Sequence, residues 1–136
     1  MALLTALTAT LLLMALSAGV TLTTITETMI AVNHRDGMQT LYAAESGIEL
    51  AMSRLRTTAD WTAVPCGGPL VQGAVLDART AVVVSASADP GGNPDILVLQ
   101  SSATLPSGIR RSVQVTVRRL PADASGVRAI ETRSWR

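Results

Sequence analysis

The hydrophobic pattern divides the chain into an apolar N-terminal part and a C-terminal part of alternating character. Residues 1–26 contain no charged side chain, and the first charge is Glu27. At about 1.5 Å per residue, an uncharged helix of this length would cross the roughly 30 Å hydrocarbon core of a bilayer. Residues 1–56 contain no proline and only three glycines. This composition predicts one uninterrupted helix over residues 1–56.

The second half of the predicted helix is amphipathic. Its larger apolar residues recur at helical spacing and form one stripe, which consists of Met38, Leu41, Ile48, Met52 and Leu55. Such a stripe is typical of a helix packed on its own domain. The first half is apolar on every side, and a domain the size of the remaining chain cannot cover it. We therefore expect the first half to protrude.

Runs of β-branched residues after the helix predict an antiparallel sheet. The runs are a weak one at 70–76 and stronger ones at 80–88, 96–104 and 109–119. In the last run, Val113, Val115 and Val117 alternate with polar residues, which is typical of a half-buried strand. The turn-rich segments 89–94 and 106–108 are short enough to connect hairpins. We expect the three valines to face the apolar stripe of the helix.

These patterns predict an α+β fold, in which a long N-terminal helix packs by its C-terminal half on a small antiparallel sheet. The predicted segments are an apolar helix half at 1–28, an amphipathic half at 29–56, a loop at 57–69, the sheet at 70–120 and a polar tail at 121–136. The tail either forms an edge strand around residues 127–132 or lies loosely on the surface. The pattern favours neither alternative.

Composition and charge reinforce the division and exclude some partners. The chain is 48% apolar but has only three aromatic residues, Tyr42, Trp61 and Trp135, so its hydropathy comes mainly from the N-terminus. All eleven basic residues are arginines, and they are spread among ten acids for a net charge of +1. The arginines 110, 111, 118 and 119 divide between two faces of one strand, without interleaved aromatic residues. We therefore do not expect DNA as a partner.

The residue types needed for catalysis or metal binding do not form a recognisable set. His34 is the only histidine and Cys66 the only cysteine, so neither a zinc motif nor an intrachain disulfide is indicated. Glu45 and Glu49 lie one helical turn apart, a spacing that is mildly repulsive on an exposed helix. Gly91 and Gly92 are not followed by the lysine or helix of a phosphate-binding loop. We expect no enzymatic activity and no cofactor.

Three segments carry a resemblance to a known family. They are MALLTAL at residues 1–7, NHRD at 33–36 and YAAESGIELA at 42–51. Together they resemble the N-terminal part of type IV pilin-like proteins, and particularly the minor pilins and the minor pseudopilin of type II secretion that lack a glutamate near the N-terminus. The resemblance covers about 40% of the chain. It implies a structural subunit that is held in the cytoplasmic membrane and then assembled into an extracellular filament.

The resemblance also implies partners and site residues. The partners would be other copies of this chain, related pilin subunits, membrane lipid before assembly, a prepilin peptidase and an inner-membrane assembly platform. Packing in the filament core would involve Leu3, Leu4, Thr5, Leu7, Leu11, Leu12, Leu13, Leu16 and Val20. The competing interpretations are a minor pseudopilin of type II secretion and a single-pass membrane protein that presents an extracytoplasmic binding domain.

One position departs from the family pattern. Most pilins carry glutamate at the fifth mature position, where it is thought to meet the N-terminal amine of a neighbouring subunit, whereas this chain has Thr5. A buried amine without a carboxylate is costly. Either Thr5, Thr8 and backbone carbonyls suffice as acceptors, or the subunit lies at a filament tip.

The family resemblance predicts the mature N-terminus. Prepilin peptidases cut after a glycine and leave phenylalanine or methionine first, so we expect mature protein to begin at Met1 with a methylated amine. The intact mass of protein purified from its natural source should equal that of a chain starting at Met1 plus one methyl group. A retained leader, or a start at a later residue, would contradict the pilin interpretation.

A second prediction concerns the helix between residues 18 and 28 in the assembled form. This stretch contains Gly19 and several β-branched residues that lower helix propensity, among them Thr21, Thr23, Thr24 and Thr26. Some pilins have a melted segment at a similar depth. We expect helical hydrogen bonds to be lost here in a filament, with continuous helix before and after. A filament map with unbroken i to i+4 bonds through this stretch would contradict the prediction.

Overall fold

The structure is a computed structural model that describes residues 1–58, 60–74, 79–121 and 129–136. Its elements are one helix, α1 (Ala2–Thr57), a short 3-10 helix (Trp61–Ala63) and five strands, β1 (Pro69–Ala74), β2 (Ala81–Ala88), β3 (Ile96–Thr104), β4 (Arg110–Arg119) and β5 (Ile130–Trp135). The predicted α+β class is confirmed, with a long N-terminal helix and an antiparallel sheet that packs against it.

The sheet has five strands in the order β1-β2-β3-β4-β5, and every neighbouring pair is antiparallel. Short turns at 89–95 and 105–109 connect the central strands, and Gly92 and Gly108 adopt positive φ angles of 73° and 85° there. Of the two alternatives for the tail, the structure has the edge strand. It begins at Ile130 and pairs with β4, with Trp135 opposite Val115. Residues 122–128 lie outside the described residues.

The chain divides into two compact units, Met1–Arg35 and Asp36–Arg136. The hydrophobic core belongs to the second unit. Ile48, Met52 and Leu55 of α1 are buried in the same cluster as Val113, Val115 and Val117 of β4. Leu41 is half-buried against this cluster, and Met38 is half-buried. The stripe of the helix and the inner face of β4 therefore share one core, with the N-terminal end of the stripe at its margin.

Small residues bring α1 close to the sheet. Gly47 lies over β2 and β3, and a Cβ atom at this position would be 2.7 Å from Cγ1 of Val82 and 2.8 Å from Oγ of Ser101. Thr40, Ala43, Ala44 and Ala51 are also fully buried on this side of the helix. The Ser101 hydroxyl has no hydrogen-bond partner among the described residues. Trp61 is the one aromatic side chain buried in the described core. The core thus depends on the close approach of the helix backbone to the sheet.

The threonine-rich stretch of α1 is helical in the single chain. The hydroxyls of Thr21, Thr23, Thr24 and Thr26 each donate to the carbonyl oxygen four residues earlier, at 2.8–3.0 Å. These bonds satisfy the hydroxyls within the helix, but they do not raise its stability, because back-bonding of this kind slightly destabilises a helix. The predicted loss of helix concerns assembled subunits and stays a prediction.

The segment after α1 is anchored by Trp61, which is 2% exposed. Its ring Nε1 donates to the carbonyl oxygen of Leu55 at 3.3 Å, and the Arg119 guanidinium lies 5.7 Å from the ring centroid. Arg119 also makes a salt bridge of 2.9 Å to Asp95. This part of the predicted loop therefore packs into the core.

Asp60 caps the 3-10 helix and is expected to make stability depend on pH. Its carboxylate accepts hydrogen bonds from the Thr62 hydroxyl at 2.8 Å and the Thr62 backbone N–H at 2.9 Å, which lowers the pKa of Asp60. A lowered pKa in the folded chain contributes stability above the unfolded-state value near 3.9, and this contribution is lost as the pH falls through the folded-state pKa.

The test compares urea unfolding of the parent chain and Asp60→Asn, both in detergent, between pH 7 and pH 2.5. The stability difference should be constant from pH 7 to about pH 5 and should shrink at lower pH. Thr62→Val, which removes the hydroxyl donor but keeps the carboxylate, should reduce the pH-dependent part. A difference that does not change with pH would contradict the prediction.

Candidate assembly surface

The first unit, Met1–Arg35, is exposed at every residue. The side chains that the resemblance assigns to filament packing are all on this surface, and the larger ones are 57–84% exposed: Leu3, Leu4, Leu7, Leu11, Leu12, Leu13, Leu16 and Val20. Thr5 is exposed among them. Soluble monomers rarely expose contiguous apolar patches larger than a few hundred Å². A helix that is apolar on every side requires a cover of lipid or protein.

The apolar stretch is long enough for a bilayer. By length and composition α1 qualifies as a membrane-crossing helix, and its most apolar 18-residue window has no buried residue. Residues 1–26, which precede the first charged side chain, Glu27, span about 39 Å at about 1.5 Å per residue, which is close to the full thickness of a bilayer with its headgroups. Charge therefore begins where an apolar environment would end.

Hydroxyl groups on this surface are satisfied within the helix. The Thr5 hydroxyl donates to the Ala2 carbonyl at 2.9 Å, and the hydroxyls of Thr8, Thr10 and Ser17 each donate to the carbonyl three residues earlier at 2.9 Å. An unsatisfied polar group in an apolar medium costs several kcal/mol. Because these donors already have partners, the threonines and serine do not prevent burial of the helix.

The N-terminal turn has acceptors near the amine but no carboxylate. The Met1 carbonyl accepts backbone hydrogen bonds from Leu4 and Thr5 at 3.2 Å. The Thr5 hydroxyl donates its proton to the Ala2 carbonyl, and its oxygen keeps lone pairs that can accept from an amine of another molecule. Both explanations of the missing glutamate, acceptance by hydroxyls and carbonyls or a place at a filament tip, stay open.

Comparison with models of known protein families, with curated proteins and with solved structures gives no match. The function of this chain is therefore inferred from its own residues and surfaces.

The other candidate residues are placed as follows. His34 is exposed in the first unit, and Cys66 is a free, exposed thiol. In the described part of the chain, no group of three or more histidine, cysteine or acidic residues is arranged to hold a metal ion. Glu45 and Glu49 lie with Tyr42, Ser46 and Trp135 around an open groove of about 490 Å³. The two glutamates were noted in the sequence, but their proximity to Trp135 was not expected, because the alternative edge strand was placed around residues 127–132, whereas β5 extends to Trp135.

Proposed function

We propose that the chain is a structural subunit of a type IV pilus-like extracellular filament, which assembles through residues 1–28. The observation that supports this proposal is the first unit itself, an exposed helix with apolar side chains on every side and hydroxyls bonded within the helix. The resemblance of residues 1–7, 33–36 and 42–51 to pilin-like proteins supports the same function.

The apolar surface of residues 1–28 must be covered both in the membrane and in the filament. Before assembly, lipid of the cytoplasmic membrane covers residues 1–28. After extraction, the same residues are covered by equivalent helices of other copies or of related pilin subunits. The second unit buries its own core, so it does not need these neighbours to hide apolar surface. A prepilin peptidase and an inner-membrane assembly platform complete the proposed pathway.

The test is mechanical shearing of cells that produce the full chain, followed by immunodetection in the sheared extracellular fraction and in the membrane fraction. We expect the chain in both, and in filaments of the sheared fraction. Leu12→Arg places a charge in the apolar surface and should abolish recovery in the sheared fraction. Ser112→Arg adds the same charge on the exposed face of β4 and should not. Retention of the parent chain in the membrane fraction alone would contradict the proposal.

Two alternatives have specific support. Thr5 in place of glutamate favours a minor subunit or a minor pseudopilin of type II secretion, and labelled subunits confined to filament tips would indicate this role. The groove beside Tyr42 and Trp135 favours a single-pass anchor that presents a binding domain. A chain that stays in the membrane after shearing would indicate this second alternative.

A further inference from the structure

The groove lined by Tyr42, Glu45, Ser46, Glu49 and Trp135, here called the acidic groove, lies between one side of α1 and the end of β5. Tyr42 and Trp135 expose about half of their surface, 55% and 49%. Glu45 is half-buried and Glu49 is exposed. The Ser46 hydroxyl is already used, because it donates to the Tyr42 carbonyl at 2.8 Å. The groups that face an incoming molecule are therefore two carboxylates and two aromatic rings.

This combination is complementary to a planar cation. Two glutamates at i and i+4 repel each other on a helix, and a cation between them removes the repulsion. Among the described residues neither glutamate makes a salt bridge. Arg133 and Arg136 flank Trp135 in the sequence, but neither lines the groove. A guanidinium pairs with carboxylates in a bidentate manner and stacks on aromatic rings, so it fits these walls better than an ammonium group.

The chain itself carries such a cation on another surface. All its basic residues are arginines. Arg110 begins β4 after the β3–β4 turn and is exposed, and its one hydrogen bond to another described residue is a long contact of 3.4 Å to the Ser102 hydroxyl. The adjacent Arg111 instead lies beside its own α1, with Nη2 3.6 Å from the Cβ position of Gly37. Arg119 is paired with Asp95. Arg110 is therefore an exposed guanidinium that a second copy could present to the groove.

We propose that the acidic groove of one subunit receives Arg110 from the β3–β4 turn of a second copy. Such a contact joins two different patches, so, where it is made in one direction only, it can repeat from copy to copy in an open helical array. The inference rests on the proposed filament, in which the apolar helices bring copies together. The charge contact would set the register between neighbouring second units.

The test is disulfide crosslinking of the full chain in producing cells, in a Cys66→Ser background. Ser46→Cys places a thiol in the groove and Ser107→Cys places one at the turn beside Arg110. Cells that produce both single-cysteine chains should yield a crosslinked pair of unlike chains. Ser46→Cys combined with Ser87→Cys, on an exposed position of β2, is the matched control and should not crosslink.

Charge reversal then tests the chemistry of the contact. Glu49→Arg in the groove chain, or Arg110→Glu in the turn chain, should each abolish most of the crosslink, and the two together should restore it. Arg118→Glu makes the same charge change elsewhere on β4 and should leave the crosslink unchanged. Loss in the single reversals without recovery in the pair would overturn the assigned contact.

The two proposals fail in different ways. If the chain is recovered in sheared filaments but residues 46 and 107 do not crosslink, the groove contact is wrong and the filament function stands. If the chain remains entirely in the membrane fraction, the filament function is wrong. The crosslink is measured in both fractions, and its absence from each overturns the contact wherever the chain is found.

Discussion

Replacing Val115 with aspartate is expected to unfold the unit formed by Asp36–Arg136. Val115 is fully buried at the centre of β4, opposite Leu99 of β3, and belongs to the core shared with α1. A carboxylate there would be buried without a partner, which costs several kcal/mol. Small domains are stable by only about 5–15 kcal/mol in total, so this change removes most of the stability.

Trp61 provides the measurement. Its ring is almost completely buried, so unfolding of the second unit should shift its emission to longer wavelength in a Trp135→Phe background. Gln114→Asp is the control, because Gln114 is the adjacent, exposed residue of the same strand. We expect a change within about 0.5 kcal/mol for this control. If Val115→Asp melts at the temperature of the parent chain, the assigned facing of β4 is wrong.

Adding a single methyl group at Gly47 is expected to destabilise the same unit. Alanine is favoured over glycine in a helix by about 0.8–1.0 kcal/mol. At Gly47, however, the new Cβ would lie 2.7 Å from Cγ1 of Val82 and 3.0 Å from Cγ2 of Val84, closer than packed carbons approach. Overpacking of this kind costs about 1–3 kcal/mol, so the net effect of Gly47→Ala should be a loss of stability.

Gly37→Ala is the matched comparison, since Gly37 lies in the same helix and unit. The nearest atom to its added Cβ is Nη2 of Arg111 at 3.6 Å, an ordinary contact. This variant should be as stable as the parent or more stable, because only the propensity gain remains. Val82→Ala removes one of the methyl groups that the new Cβ would meet. The double variant should therefore lose less stability than the sum of the losses of the two single variants. If Gly47→Ala is more stable than the parent chain, the sheet moves away from the helix without a loss of stability, and the prediction is wrong.

Much of the fold follows from periodicity, because alternation and helical spacing record which face is buried. Residues 96–104 were predicted as a strand and form β3, and the alternating valines of β4 lie in the core. The edge strand β5 followed only as one of two alternatives, expected around residues 127–132, since Ile130–Trp135 is mostly exposed and has no apolar alternation. The importance of Gly47 did not follow. It depends on where the helix lies over β2 and β3, which local spacing does not encode.

One of the two candidate sites could be predicted from the sequence and the other could not. An apolar stretch without charges can be recognised from residue order alone, so the surface of residues 1–28 was predictable. The acidic groove was not, because it requires Glu49 and Trp135, which are 86 positions apart in the sequence, to lie close together. In the sequence, the aromatic residues were noted for their small number, and Tyr42 also for its place in the segment 42–51. The exposure of Tyr42 and Trp135 in the structure is the basis of the proposed groove contact.

The small residues between α1 and the sheet also determine how the second unit responds to force. Thr40, Ala43, Ala44, Gly47 and Ala51 are buried along about three turns of the helix, together with the larger Ile48, Met52 and Leu55. A pull along the axis of α1 would load these contacts in shear, and many of them would have to break together. Tension along the helix would therefore be shared over about three turns, and no single residue would act as the point of failure.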